Sequence, residues 1–148
     1  MNSSRLIQQV SSWCPPLLWG LAILILSGDL GSSHNTFGLI QWLISRVADL
    51  SAGQIAALHG AMRKLGHMLA YGVLCFLWFR SFQVHRPDRR GFCLFLAVLC
   101  SLAVALLDEG HQLMVGTRRG SLMDVGWDMA GAGLTAGLIL ALKPRRGN

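Results

Sequence analysis

Apolar and polar positions divide the chain into long uncharged runs separated by clumps of charge. The first apolar run, residues 13–26, ends at the polar Ser27, Gly28 and Asp29. Pro15 and Pro16 lie where the first turn of a helix tolerates a missing N–H. The run predicts a first transmembrane helix. Read instead as a signal peptide, it would offer Leu26, Ser27 and Gly28 as a small-residue cleavage site. Residues 31–35 read as loop. Residues 37–50 place Phe37, Ile40, Leu43, Ile44 and Val47 at helical spacing against Gln41, Ser45, Arg46 and Asp49, which predicts an amphipathic interfacial helix too polar to span.

Ser51 followed by Gln54 has the spacing of a capping box, so a new helix should begin there. It continues through His59, Arg63, Lys64 and His67 into the apolar stretch 68–79. About 30 residues at 1.5 Å each give roughly 45 Å, which exceeds the hydrocarbon core. Its first third should stand at the headgroups or beyond them. His59, Arg63, His67 and Tyr71 recur at every fourth residue and share one face. Residues 80–90 form a basic turn around Pro87. Residues 91–107 are a third span, with Ser101, Ala105, Asp108 and Gln112 on one stripe. After an acidic, glycine-rich loop, residues 122–142 are a fourth span, and 143–148 are a basic tail. Gly133 and Gly137 have the spacing that lets a neighbouring backbone approach.

The reading is an all-α membrane protein: a four-transmembrane-helix bundle with an extra amphipathic interfacial helix. Residues 1–62 supply the first span and the interfacial helix. Residues 63–148 complete the single membrane domain with three helices.

Composition agrees. Apolar residues make up 53% and charged residues 14%, against roughly 25% charged in an ordinary soluble domain. The net charge of +6 comes without a basic face interleaved with stacking aromatics, so nucleic acid is not an expected partner. Cys14, Cys75, Cys93 and Cys100 lie in or beside apolar runs and suggest packing, not a disulfide framework. Eight cations (Arg5, Arg80, Arg86, Arg89, Arg90, Lys143, Arg145 and Arg146) fall on one side of the predicted spans. Arg46, Arg63, Lys64, Arg118 and Arg119 fall on the other with six of the seven acids. That asymmetry predicts both termini in the cytoplasm.

The topology then brings three helix ends to one membrane face. His67, Tyr71, Asp108, Glu109, Gln112, Arg118, Arg119, Asp124 and Asp128 should meet in a polar pocket at the outer face. Asp124 and Asp128, four apart on a helix, point the same way. Asp128 lies inside its span, where an unpaired acid costs on the order of 3 kcal/mol at the centre. His67, Tyr71, Arg118 and Arg119 are its candidate partners. Ser121 with Asp124 also fits a capping box, so Asp124 could simply close its own helix end.

Three chemistries stay open. Arg118, Arg119, Lys64 and the start of the fourth helix suit an anionic head group. Asp108, Glu109, Asp124, Asp128 and His67 offer ligands to a divalent cation. Crowded carboxylates beside a histidine suit acid/base catalysis. No nucleophile triad and no phosphate-binding glycine loop are recognisable.

At these residues the chain resembles the VanZ-like family of small bacterial membrane proteins. The matching pieces are Lys64, His67 and Tyr71, then Asp108, Glu109 and Gln112, then Gly116 and Arg118 with Gly120, Ser121 and Asp124, and finally Gly131. The resemblance covers residues 64–142. The family commonly has Asn where this chain has Asp128, which adds a carboxylate here. The resemblance implies a multi-pass protein of the cytoplasmic membrane, in a family named for resistance to the lipid-tailed glycopeptide teicoplanin. The expectation is therefore an envelope protein that binds an amphiphile, either an envelope lipid or a lipoglycopeptide, through Lys64, Tyr71, Gln112, Arg118, Arg119, Ser121 and Asp124. The alternative is a membrane-embedded enzyme acting on a lipid-linked substrate through His67, Asp108, Glu109 and Asp128.

Overall fold

Every regular element among the described residues is a helix. The computed structural model describes residues 10–27, 33–44, 46, 50–115 and 121–142, apart from the side chains of 33–36, 39, 40 and 115. In chain order the helices are α1 (Cys14–Ser27), α2 (Ser33–Ile44), α3 (Ala52–His85), α4 (Arg90–Val115) and α5 (Leu122–Ala141).

The capping box at the start of α3 forms as predicted. Gln54 donates its backbone N–H to the Ser51 hydroxyl, and its side-chain oxygen accepts from the Ser51 backbone N–H at 2.9 Å. The helix runs for 34 residues, or about 51 Å. It stops before Pro87, which disfavours helical backbone at the residue preceding it; Arg86 leaves the helix with φ −137° and ψ 67°.

Two boundaries differ from the sequence reading. α2 starts at Ser33 and ends at Ile44, earlier at both ends than the predicted 37–50. α4 reaches Val115, so residues 108–115 are helical and not part of a loop. No proline interrupts that stretch, and Gln112 Nε2 donates to Asp108 Oδ2 across one turn at 3.3 Å. At α5, Ser121 caps by accepting from the Met123 N–H at 3.2 Å; the reciprocal Asp124 half of the predicted box does not form.

The long α3 is the axis on which the others pack, most extensively with α5 and α4. α1 lies antiparallel to it. Trp13, before α1, packs edge-on against Phe82 with centroids 5.2 Å apart. Further along, Trp19 Nε1 donates to the Ala70 carbonyl at 2.9 Å. α2 meets the early part of α3 through Phe37, edge-on to His59 at 5.6 Å.

α3 and α5 touch backbone to backbone. A Cβ at Gly131 would overlap the carbonyl of Met68, and one at Gly72 would meet Thr135 Oγ1 at 2.9 Å. Gly133 and Gly137, the pair the spacing suggested for this role, have nothing within 4 Å of a built Cβ. Below the crossing, Tyr71, Leu74, Ala105, Val125 and Ile23 form one buried cluster; Cys75, Ala97 and Ala132 form another. At the far end of α5, Arg90 donates to the carbonyls of Ile139 and of Leu142, the latter at 2.7 Å. These are helix-end acceptors with no partner within the helix.

α3 and α4 are each long and apolar enough to cross a membrane; α1 is a shorter apolar helix. Leu17, Leu69, Phe95, Leu107, Leu134 and Leu138 are among many large apolar side chains on the outside. Such a surface is costly in water and suits lipid.

Candidate functional site

Four helices deliver polar side chains to one level. α1 ends there with Ser27. α3 passes through with Arg63, His67 and Tyr71. α4 arrives with Asp108, Glu109 and Gln112, and α5 departs with Ser121, Asp124 and Asp128. The stripe Ser101, Ala105, Asp108 and Gln112 is buried along its whole length.

Asp128 has no exposed surface, and its Oδ1 lies 2.9 Å from Nδ1 of His67. The ring N–H donates to the carboxylate. This holds the imidazole in one orientation and leaves Nε2 as its other polar atom. His67 itself is 20% exposed on its side chain. Asp128 is thus the inward member of a pair whose outward member can meet a ligand.

Asp108 is equally buried. Its Oδ2 accepts from the Ser27 hydroxyl at 2.8 Å, and Gln112 Nε2 donates to the Ser27 oxygen at 2.6 Å. Ser27, Asp108 and Gln112 therefore form a closed triangle that ties the end of α1 to α4. Glu109 Oε2 accepts from the Ser121 backbone N–H at 2.6 Å, which puts a carboxylate at the start of α5. That is the favourable end of the helix dipole for an anion. All three acids read from the sequence as catalytic candidates thus make bonds between helices.

Tyr71 is fully buried. Its hydroxyl has no hydrogen-bond partner among the described residues, and the same holds for Asp108 Oδ1, Glu109 Oε1 and Asp128 Oδ2. Asp108, Glu109 and Asp128 all lie within electrostatic reach of the Tyr71 hydroxyl, and Asp108 and Asp124 within reach of Asp128. The polar groups form one neighbourhood.

A cavity of about 160 Å³ opens beside it, between α1 and α3. Ile23, Leu26 and Ala70 give it an apolar side; Ser27, Arg63, His67 and Tyr71 give it a polar one, with Gly66 at its wall. Lys64, a candidate ligand-binding residue, stands elsewhere: its ammonium lies over the Trp127 ring, 5.2 Å from the centroid. Arg118 and Arg119, the two arginines expected to grip a head group, lie outside the described residues. Among the described residues no group of three or more His, Cys, Asp or Glu side chains is arranged to hold a metal ion.

Two participants were not singled out from the sequence. In the sequence Ser27 reads as the polar end of an apolar run, and nothing local reveals a partner 81 residues away. Arg63 was visible on the same face as His67, and that face is the one that lines the cavity.

Compared with known proteins, residues 17–143 match the model of one family, VanZ/LLP1. No curated protein and no solved structure matches the chain.

Proposed function

The chain belongs to the VanZ/LLP1 family, and from that premise we propose that it is a multi-pass protein of the bacterial cytoplasmic membrane that binds an amphiphile and takes part in antibiotic resistance. In this reading α1, α3, α4 and α5 all cross the bilayer, both termini are cytoplasmic, and the cavity opens at the outer face. The cation asymmetry supports that orientation.

One observation carries the reading: the cavity of about 160 Å³ has an apolar side and a polar side in the same small space. An amphiphile presents that combination where its head joins its tail. The volume is close to the roughly 150 Å³ that admits a single benzene-sized group. An envelope lipid or a lipoglycopeptide such as teicoplanin would therefore enter by one small group, with the bulk of the molecule outside.

Gly66→Leu provides the test. Gly66 lines the cavity, and a Cβ there meets nothing within 4 Å, so the leucine fills space without displacing the backbone. Native mass spectrometry of gently extracted protein should find a retained lipid in the parent and none in the variant. Expression in a teicoplanin-susceptible bacterium should raise the concentration that halts growth, and Gly66→Leu should cancel the rise. Equal lipid retention by parent and variant would count against the reading.

A second reading, an enzyme acting on a lipid-linked substrate by acid/base chemistry, is favoured by the His67–Asp128 pair alone. Under it, Asp128→Asn keeps ligand binding and loses turnover. A binder tolerates that change.

A further inference from the structure

α3 and α5 run side by side in the same direction, with Gly131 against Met68 and Gly72 against Thr135. Beside that contact lies a second, larger groove of about 600 Å³. It extends from Leu65 to Phe76 along α3 and from Gly131 to Leu142 along α5, and Thr135 is its one polar lining residue. At 1.5 Å per residue it is about 16 Å long, close to the roughly 15 Å that one leaflet contributes to the hydrocarbon core. Met68, Gly72 and Phe76 recur at every fourth residue on its α3 wall, and the next position in that row is Arg80. Arg80 comes about 12 Å past Gly72 and Leu142 about 10 Å past Thr135, so Arg80 stands at the Leu142 end of the groove. It is exposed, and no acid among the described residues pairs with it. Beyond Leu142 the sequence adds Lys143, Arg145 and Arg146. An apolar trough one leaflet long thus ends at a cation.

We propose that this groove holds one acyl chain of an anionic phospholipid of the cytoplasmic leaflet, with the lipid phosphate at Arg80. The site is separate from the cavity beside His67 and goes beyond the reading given for that cavity. It requires that α3 and α5 cross the bilayer, and the leaflet follows from the cation asymmetry. A second copy of the chain fits the groove less well. Helices pair in lipid where small residues let backbones close or polar groups bond across. Here Gly72 and Gly131 are already engaged in the α3–α5 contact, and the rim carries exposed, bulky Leu69, Leu134 and Leu138. A single flexible hydrocarbon chain meets no such obstacle. The volume is about four times the roughly 150 Å³ that admits one benzene, room for on the order of twenty carbons. The planar fork of an arginine matches phosphate oxygens two at a time.

The test is made on the full chain in vesicles, because a chain in an open groove exchanges for detergent on extraction. The vesicles are phosphatidylcholine with a small fraction of phosphatidylglycerol or of phosphatidylcholine bearing a photoreactive group in the acyl chain. Labelled peptides are read by mass spectrometry. The reference is the α4 peptide with Phe95, an exposed residue five positions from Arg90 and so near the same end of the bundle. Labelling should concentrate on residues 65–76 and 131–142 over that peptide. There, phosphatidylglycerol should exceed phosphatidylcholine by about fivefold, the ratio that about 1 kcal/mol per interfacial cation gives. Arg80→Gln should reduce this ratio to that of the Phe95 peptide, and Arg80→Lys should keep most of it. Val73→Trp, at the exposed rim, should lower labelling of 131–142 by both lipids. Gly66→Leu, in the other cavity, should change none of this, so the two sites fail separately. Labelling no stronger in the groove than at Phe95 would mean ordinary surrounding lipid and would overturn the proposal. A ratio unchanged in Arg80→Gln would overturn the phosphate assignment. Crosslinking of two copies through 65–76 and 131–142, with lipid excluded, would give the groove to a second chain instead.

Discussion

Gly131 of α5 lies so close to Met68 of α3 that a Cβ would run into the Met68 carbonyl. A backbone oxygen in a helix cannot swing aside as a side-chain tip can, so the contact demands glycine. Gly131→Ala should destabilise the protein by about 3 kcal/mol, the upper end for overpacking at a contact that cannot relax. Thermal unfolding in detergent should show the loss. Gly133→Ala, with nothing near its Cβ, should leave the midpoint unchanged or raise it, because alanine favours helix by about 1 kcal/mol over glycine.

The Ser27–Asp108 bond predicts what holds α1 against the bundle. Ser27→Ala leaves Asp108 Oδ2 with only the 3.3 Å contact from Gln112. A buried acceptor stripped of its main donor costs about 1–3 kcal/mol. The loss should appear as faster hydrogen exchange in the last turns of α1, with α4 and α5 little affected. Uniform exchange across all helices would contradict the latch.

Asp128→Ala removes the acceptor of the His67 N–H, whereas Asp128→Asn keeps an oxygen in place. The alanine variant should lose about 1–2 kcal/mol and the asparagine variant less, since a neutral donor–acceptor pair survives. Nitrogen chemical shifts of a labelled His67 report the difference. Nδ1 should remain protonated in the parent and in Asp128→Asn, and should exchange between tautomers in Asp128→Ala.

Lys64 engages the Trp127 ring and does not line the cavity. Lys64→Met should cost no more than about 1 kcal/mol, the size of an exposed cation–π contact. It should also leave lipid retention where it was, unlike Gly66→Leu. A Lys64 variant that abolished retention would mean that the head group lies on the α5 side of α3.

Much of this arrangement is legible from the chain because it is local. The Ser51–Gln54 box, the fourth-residue row His59, Arg63, His67 and Tyr71, and the stripe Ser101, Ala105, Asp108 and Gln112 follow from helical geometry alone, and each stands where its spacing puts it. The span expected to end at 107 carries on as helix to Val115, although charge begins at Asp108 and Glu109. They are buried helical acids whose partners, Ser27 and the Ser121 N–H, come from other helices. No periodicity signals such a partner. The glycine contact failed for a related reason: Gly133 and Gly137 have the right spacing, but Gly131 is the glycine that faces α3. Spacing says which residues share a face, and only packing says which face is used.

Arg90, at the opposite end of the molecule, bears on the site as well. Its guanidinium holds the last carbonyls of α5, about 17 Å along the axis from Asp128 by the rise of eleven residues. A helix moored at its tail cannot ride up or down past its neighbours. The height at which Asp128 meets His67 is thus fixed by a cation that never comes near either of them.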